Sequence, residues 1–276
     1  MPLFIISTPI GHLGDISQRA LDTLRACDLI LCEDTRHSQI LLRHYGIDKR
    51  LIPFHQFNEK SKEESILRDL EQGQSIALIS DAGTPLVSDP GQALVRACIE
   101  RGVPFTAIPG PCSIIQALVL SGFDAIRFQF IGFLPRDAGA IRTALRRALF
   151  FQGTTIAFES PQRLLDTLTI LLEIDPNREL AIARELTKTF EECRRGKAAD
   201  LLAHFQEHEP RGEIVLLIRE GETVQEEIGV EELVRLLQEM HALSLKEAIK
   251  AAAKLKGVPK SDVYRQIHQP DNPEPL

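Results

Sequence analysis

Residues 78–91 read LISDAGTPLVSDPG, and an apolar run stops there at two small polar elbows. The elbows are Ser80-Asp81-Ala82-Gly83 and Ser88-Asp89-Pro90-Gly91. Upstream, SIALIS reads as a strand; downstream, GQALVRACIERG has helical spacing. A strand that ends in small residues and Asp before a helix is where open α/β sheets bind ligands. Neither G-x-G-x-x-G after a strand nor G-x-x-x-x-G-K-[ST] is present, so the turn is not a familiar nucleotide cradle.

The same alternation extends on both sides. Leu3–Ser7 is a strand, followed by the loop TPIGHLGD and a helix for which Asp15 is the expected N-cap. LILCED is a second strand, the helix SQILLRHYG stops at Gly46, and LIPFHQFN is a short strand. After the elbows come a helix over Gly91–Arg101, the strand PFTAIPG and the helix in PGPCSIIQALVLSG. A second unit starts near Arg127, with strands FQFIGFLP, TTIAFES, ELAIAREL and GEIVLLIREG and helices at Ala138–Phe150, Pro161–Leu172 and KAADLLAHF. TKTFEECRRG reads as a charged segment and GETVQEEIG as an acidic linker. Strand and helix in turn imply a mostly parallel sheet covered on both faces. QPDNPEPL, at the end, reads as frayed.

With 276 residues, 43% hydrophobic and 26% charged, the chain has the composition of a soluble globular protein of about two domains. No apolar run approaches the roughly 20 residues of a membrane span. The first residues lack the basic start of a signal peptide. Five cysteines, none in a C-x-x-C pair, fit a reducing compartment. These features point to the cytoplasm, and without metal-ligand spacing no catalytic metal is expected. The net charge of −7 argues against a broad nucleic-acid surface. The tail departs from it: between residues 241 and 268, six basic side chains stand against Glu247 and Asp262. A basic tail on an acidic body marks a polyanion contact. LKEAIKAAAKLKGVPKSDVYRQ reads as helix, Gly-containing turn and second helix, a helix-turn-helix shape with Ala248, Ala251, Ala252 and Leu255 on its apolar side.

The unusual residues gather at strand ends: Thr8-Pro9-Ile10-Gly11, Glu33–Arg36, Ser80–Pro85, Pro109–Ser113, Glu159–Pro161 and Arg184–Lys188. Small residues there let a ligand approach the backbone. The first elbow and PGPCS contain no Lys or Arg, which disfavours a triphosphate. Asp81 and Asp89 suit a positive centre or ribose hydroxyls, and IIQAL could wall a flat base. S-adenosylmethionine, a cation carrying adenosine, meets that description.

TPIGHLGDISQRAL, CEDTRHS, LISDAGTPLVSDPG, PGPCSIIQAL, GFLP, ESPQRLLDTL and RELTKTFEE together closely resemble the ribosomal RNA small subunit methyltransferase I family, of tetrapyrrole-methylase-like fold. The resemblance covers nearly the whole chain. It implies two α/β domains of the class III methyltransferase type with the cofactor between them, residues 1–119 and 120–222, then a linker and basic helical domain over 223–276. It also implies a homodimer and transfer of a methyl group from S-adenosylmethionine to the 2′-hydroxyl of a cytidine in the decoding region of 16S rRNA, free or in the 30S subunit. On this reading Pro9, Gly11, Ser80, Asp81, Ala82, Gly83, Thr84, Ser88, Pro109, Gly110, Ser113 and Ile114 hold the cofactor from one side. Glu159, Ala183, Gly212 and Glu213 cover the other. His12 stands where the family has Asn.

A ribose hydroxyl is a weak acid, so the reaction needs alignment and a route for the proton. Asp34, Glu185 and Lys188 are the leading candidates, with Glu159 a further acid. Arg36, Arg163 and Arg184, with Lys246, Lys250 and Lys260 of the tail, are candidates for RNA phosphates. The competing readings are methylation of a tetrapyrrole by the same fold and a ribosome-assembly protein without catalysis. A hydrolase would need an activated nucleophile, and none is evident.

Overall fold

The computed structural model describes residues 2–221, 229–241 and 243–268. Strands β1 (Leu3–Ile6), β2 (Leu29–Cys32), β3 (Arg50–Pro53), β4 (Ile76–Ile79) and β5 (Phe105–Ile108) form a wholly parallel sheet in the order β3-β2-β4-β1-β5. Alternate residues point to opposite faces. Leu29, Leu31, Ile76 and Leu78 pack with α3 (Glu59–Glu71) and α4 (Gln92–Arg101). Ile30, Cys32, Ala77 and Ile79 pack with α1 (Gln18–Ala26) and α2 (Thr35–His44). Both faces are thus covered, as the continuous apolar strands require.

The second sheet departs from the parallel expectation. It contains β6 (Phe128–Phe133), β7 (Thr154–Glu159), β8 (Glu179–Arg184), β9 (Glu192–Lys197) and β10 (Ile214–Ile218), in the order β6-β7-β10-β8-β9. Only β6 and β7 run parallel; β10 is antiparallel to both β7 and β8, and β8 to β9. The strand β9 lies within the segment read as charged. It is an edge strand rich in charged residues with none fully buried, so it lacks an apolar signature.

One face of this sheet is covered by α6 (Ala138–Leu149), α7 (Pro161–Ile174) and α8 (Ala198–Glu207). The other face takes α5 (Ser113–Ser121), the helix that follows β5 of the first sheet. Ile114, Ala117 and Leu118 of α5 meet Ile156, Ala181, Ala183, Val215 and Leu217. Arg195 on β9 fastens the joint by donating through Nε to Ser121 O at 2.8 Å and through Nη2 to Leu120 O. These carbonyls end α5, where a cation is favourable.

Two terminus details differ from expectation. The α1 cap is Ser17, whose Oγ accepts from Ala20 N at 3.1 Å, while Asp15 sits in a preceding 3-10 turn. The second helix starts at Thr35, capped by Asp34. The expected acidic linker falls largely on residues 222–228, and the expected frayed end on 269–276, outside the described residues. Beyond the linker, α9 (Val230–His241), α10 (Leu245–Lys256) and α11 (Lys260–His268) pack around Val234, Ala248, Ile249, Ala252 and Val263. Leu255, expected on the apolar side, is 47% exposed instead. Ser244 and Glu247 form a capping box that starts α10.

Candidate active site

A cavity of about 330 Å³ lies between the two sheets, and residues from both line it. On the first side are Ile10, Ala82, Gly83, Thr84, Val87, Ser88, Asp89, Cys112, Ser113 and Ile114. On the second are Phe133, Phe158, Glu159, Ser160, Pro161, Leu186, Gly212, Glu213, Ile214 and Val215.

The first side is built from backbone. Thr8 and Gly83 exchange amide bonds of 2.8 and 3.1 Å, tying the end of β1 to the elbow after β4. Ser7 Oγ lies 3.0 Å from Thr84 Oγ1, which donates to Pro111 O at 3.3 Å and so reaches the loop after β5. Gly83 has φ +79°, and a Cβ there would stand 3.3 Å from Ile10 Cγ2. Gly110 is small because β1 runs beside it: a Cβ would meet Ser7 Cβ at 2.9 Å.

On the second side, ion pairs do the positioning. The mixed topology brings the start of β10 level with the ends of β7 and β8, because Ile214 lies opposite both Glu159 and Arg184. Glu159 is buried; it accepts from Ser160 N and Thr167 Oγ1, both at 2.7 Å, and pairs with Arg163. Arg163 in turn holds Leu134 O and Pro135 O at 3.1 and 2.7 Å. Lys188 Nζ bridges Glu185 at 3.0 Å and Glu213 at 3.3 Å. Burial works against ionising Glu185, but Lys188 and the Glu213 amide outweigh it and pull its pKa down. Lys188 is likewise driven up by Glu185 and Glu213 against the cost of its own burial. At neutral pH both are charged and engaged with each other.

Loops from the two sides meet directly. His12 N donates to Thr187 Oγ1 at 2.9 Å. A Cβ on Gly11 would lie 2.5 Å from Lys188 Cγ, so only glycine lets these loops touch. His12 takes the place expected of Asn with its ring: Nδ1 accepts from Gly14 N at 3.1 Å, an acceptor role that an Asn side chain also fills. Among the described residues, the non-glycine positions with positive φ are Leu86, Ser88, Glu185 and Thr187, at 74, 68, 50 and 63°. All four belong to these cleft loops, the kind of place where backbone strain collects.

Of the residues expected to hold a cofactor, Ala82, Gly83, Thr84, Ser88, Ser113, Ile114, Glu159, Gly212 and Glu213 line the cavity. Pro9, Gly11, Ser80, Asp81, Pro109 and Gly110 are not among its lining residues. Ser80 Oγ lies 3.3 Å from Ala82 O and 3.2 Å from Gly83 O, and Asp81 Oδ1 accepts from Asp34 N at 3.2 Å. Ala183 is fully buried in the joint with α5 and is not among the lining residues. Asp34 is drawn down to about 2 by the side chain and amide of Arg36, leaving it a poor proton acceptor. Among the expected phosphate ligands, Arg163 is committed to Glu159, and Arg184 pairs with Glu192 at 2.6 Å. Arg36 is 90% exposed, though it too pairs with a carboxylate, Asp34. Lys246, Lys250 and Lys260 are exposed.

Val87, Phe133 and Phe158 line the cavity without having been singled out as binding residues, and Asp89, which the sequence offered to a positive centre or ribose hydroxyls, lines it too. Asp89 was signalled by its place in the second elbow. Its pKa is pushed up to about 6 by burial and by the charges of Glu33 and Asp81, while a hydrogen bond from Ser80 pulls the other way. Glu33 is raised as well, by burial and then by Asp81. Three carboxylates line the cavity, and none of its lining residues is Lys or Arg.

A cleft between a parallel sheet and a mixed one, closed by elbows at strand ends, defines a class. The chain belongs to the tetrapyrrole (corrin/porphyrin) methylases, whose family model matches residues 2–202. Within that class it is 46% identical to the ribosomal RNA small subunit methyltransferase I of Escherichia coli O157:H7, over 95% of this chain and 93% of the relative. The protein of that name from Halalkalibacterium halodurans is 42% identical over 97% and 94%. The one from Thermotoga maritima is 46% identical over 78% of this chain but 97% of its own length. Solved structures share the fold at low identity. The uroporphyrin-III-C-methyltransferase of Thermus thermophilus matches at a TM-score of 0.57 and 19% identity, over 79% of this chain and 94% of that one. A diphthine synthase matches at 0.60 and 16%, over 79% and 89%.

Proposed function

We propose that this protein is an S-adenosylmethionine-dependent methyltransferase that modifies the 2′-hydroxyl of a cytidine in the decoding region of 16S rRNA. The observation that carries the cofactor assignment is the lining of the cavity: acidic and apolar, with no cationic side chain. That chemistry suits a sulfonium bearing a nucleoside and repels a polyphosphate. Gly83 and Thr84 would hold the polar end of the cofactor through backbone groups, and Ile114, Phe158 and Val215 would flank its base. When bound, the cofactor supplies an electrophilic methyl group. The chain's task is to align the ribose hydroxyl with that methyl, exclude water and accept a proton.

RNA as substrate rests on the relatives, which all carry the rRNA methyltransferase name over most of this chain. The exposed lysines Lys246, Lys250 and Lys260 support it, since they supply backbone contacts of the salt-sensitive kind. Roughly a fifth of this chain falls outside the match to the Thermotoga relative, a share similar to the linker and tail. On this reading the tail adds affinity for RNA and the cleft holds the chemistry. The organisation that goes with it is 1–119, 120–222 and 223–276. Exposed Ile115, Val119 and Ile126 give apolar surface for the homodimer. Among the described residues no helix is long and apolar enough to cross a membrane, in keeping with a cytoplasmic site of action on ribosomes.

The direct test is transfer of labelled methyl from S-adenosylmethionine to 30S subunits, and to free 16S rRNA, prepared from cells lacking the modification. Nuclease digestion then locates the label. Label in 2′-O-methylcytidine is the expected result; no label on either substrate, with the cofactor bound, overturns the rRNA assignment and favours a small-molecule acceptor.

A further inference from the structure

The reaction proposed above releases a proton, and the side chains first expected to take it are occupied. Asp34 is tied to Arg36, and Glu185 to Lys188. Of the three carboxylates in the cavity wall, Glu159 is paired with Arg163 and Glu213 with Lys188. Asp89 is the exception. Among the described residues, the charged groups that act on it are Glu33, from the end of β2, and Asp81, from the first elbow, and neither is a cation.

The position of Asp89 is fixed from both sides. Leu86 and Ser88 before it are left-handed, with φ of 74 and 68°. Gly91 after it has φ 122°, and a Cβ there would lie 2.6 Å from Leu78 Cδ2. Glu59 on α3 holds this corner by accepting from Gly91 N at 3.1 Å and Ala93 N at 3.2 Å. The elbow therefore presents a half-buried, cation-free carboxylate to the cavity wall, beside Ser88 and Val87.

We propose that Asp89 is the general base that takes the proton of the ribose 2′-hydroxyl during methyl transfer, a role that rests on the methyltransferase reading above. The hydroxyl oxygen bonds to the methyl carbon as the methyl–sulfur bond breaks. The bonding pair stays with sulfur, which becomes a neutral thioether, and the O–H proton ends on the Asp89 carboxylate before passing to water. No metal or further reactant is needed. Burial first, and then Glu33 and Asp81, raise the proton affinity of Asp89 towards the working range of a general base. His55 acts on the network through Glu33, which it stabilises as the anion.

The test compares the full-length wild type with Asp89→Asn, which keeps the shape and removes the basicity, and with Asp89→Ser as a second variant. Three quantities are read: S-adenosylmethionine affinity by calorimetry, single-turnover methyl transfer to unmodified 30S subunits between pH 5 and 9, and the Asp89 carboxyl titration by ¹³C NMR in ligand-free protein. The expected result is that both variants still bind the cofactor, weakened by no more than about tenfold through loss of one cavity carboxylate, which also shows that they fold. Transfer falls by about 10²- to 10⁴-fold. The wild-type rate rises with pH and levels above a midpoint near the Asp89 value of about 6, an inflection that Asp89→Asn lacks. NMR finds that titration in the free protein. Transfer by Asp89→Asn at the wild-type rate, or a loss of cofactor affinity that accounts for the loss of rate, overturns the role alone. No transfer by wild type overturns the functional reading together with it.

Discussion

The two walls of the cleft solve the same problem with different materials. The parallel sheet offers strand ends made of Gly, Ala, Ser and Thr, stitched by backbone bonds such as Thr8 to Gly83. The mixed sheet offers charged side chains held in pairs, Glu159 with Arg163 and Glu185 with Lys188. In the first wall all five strands end on one edge, so a ligand meets consecutive turns. In the second, antiparallel β10 and β9 begin at the edge where β7 and β8 end, so residues distant in sequence must be tied together there. Backbone makes a surface that a ligand can approach; ion pairs make one that keeps its shape.

The largest effect should come from breaking a pair in the second wall. Glu159→Ala leaves the half-buried Arg163 beside no carboxylate and Thr167 without its acceptor. A loss of about 3 kcal/mol is expected, measured by urea unfolding. If Glu159→Ala costs under 1 kcal/mol, the pair is not what holds this wall.

The matching change in the first wall is Gly83→Ala, which puts a Cβ on a residue at φ +79°. The expected stability loss is smaller, about 1 kcal/mol. Cofactor affinity should fall about tenfold, equivalent to about 1.4 kcal/mol. Unchanged affinity by calorimetry would remove the elbow from the binding surface.

Asp89 sharpens the contrast through pH. Its folded pKa of about 6 lies above the ordinary 3.8, so ionisation disfavours the fold. That cost is absent below about pH 4, grows as pH rises to 6, and persists above it. Asp89→Asn should therefore raise the thermal midpoint at pH 8 by a few degrees, about 1 kcal/mol after allowance for partial exposure, and leave it unchanged at pH 4. The opposite sign would show that Asp89 has a cationic partner.

The smallest effect on stability belongs to the tail. Replacing Lys246, Lys250 and Lys260 together with Gln should change stability by less than about 0.5 kcal/mol, because all three are exposed. RNA affinity should nonetheless fall, with a salt slope shallower by about one per lysine lost. An unchanged slope would assign the RNA contact elsewhere.

The sequence carried the first wall further than the second. LISDAGTPLVSDPG shows its strand, elbows and helix because the signals are local: apolar run, small residues, helical spacing. Of the elbow and PGPCS residues expected at a ligand, Ala82, Gly83, Thr84, Ser88 and Ser113 line the cavity, and Ser80, Asp81, Pro109 and Gly110 do not. The order β6-β7-β10-β8-β9 is not local, and EECRRGK hides an edge strand with no buried stripe to reveal it. The roles of charged residues were the least legible. Nothing in RELTK says that Glu185 and Lys188 neutralise one another, and nothing in EDTR says that Asp34 caps a helix and binds Arg36. Asp89 stands out by the partners it lacks, which only the fold can show.

The bond from His12 N to Thr187 Oγ1 runs from one wall to the other. Moving the walls apart at this point must break it, whatever else bends. The His12 amide is thus a gauge built into the cleft where its two walls touch. Its hydrogen-exchange rate counts how often the jaws part, residue by residue, without any substrate present.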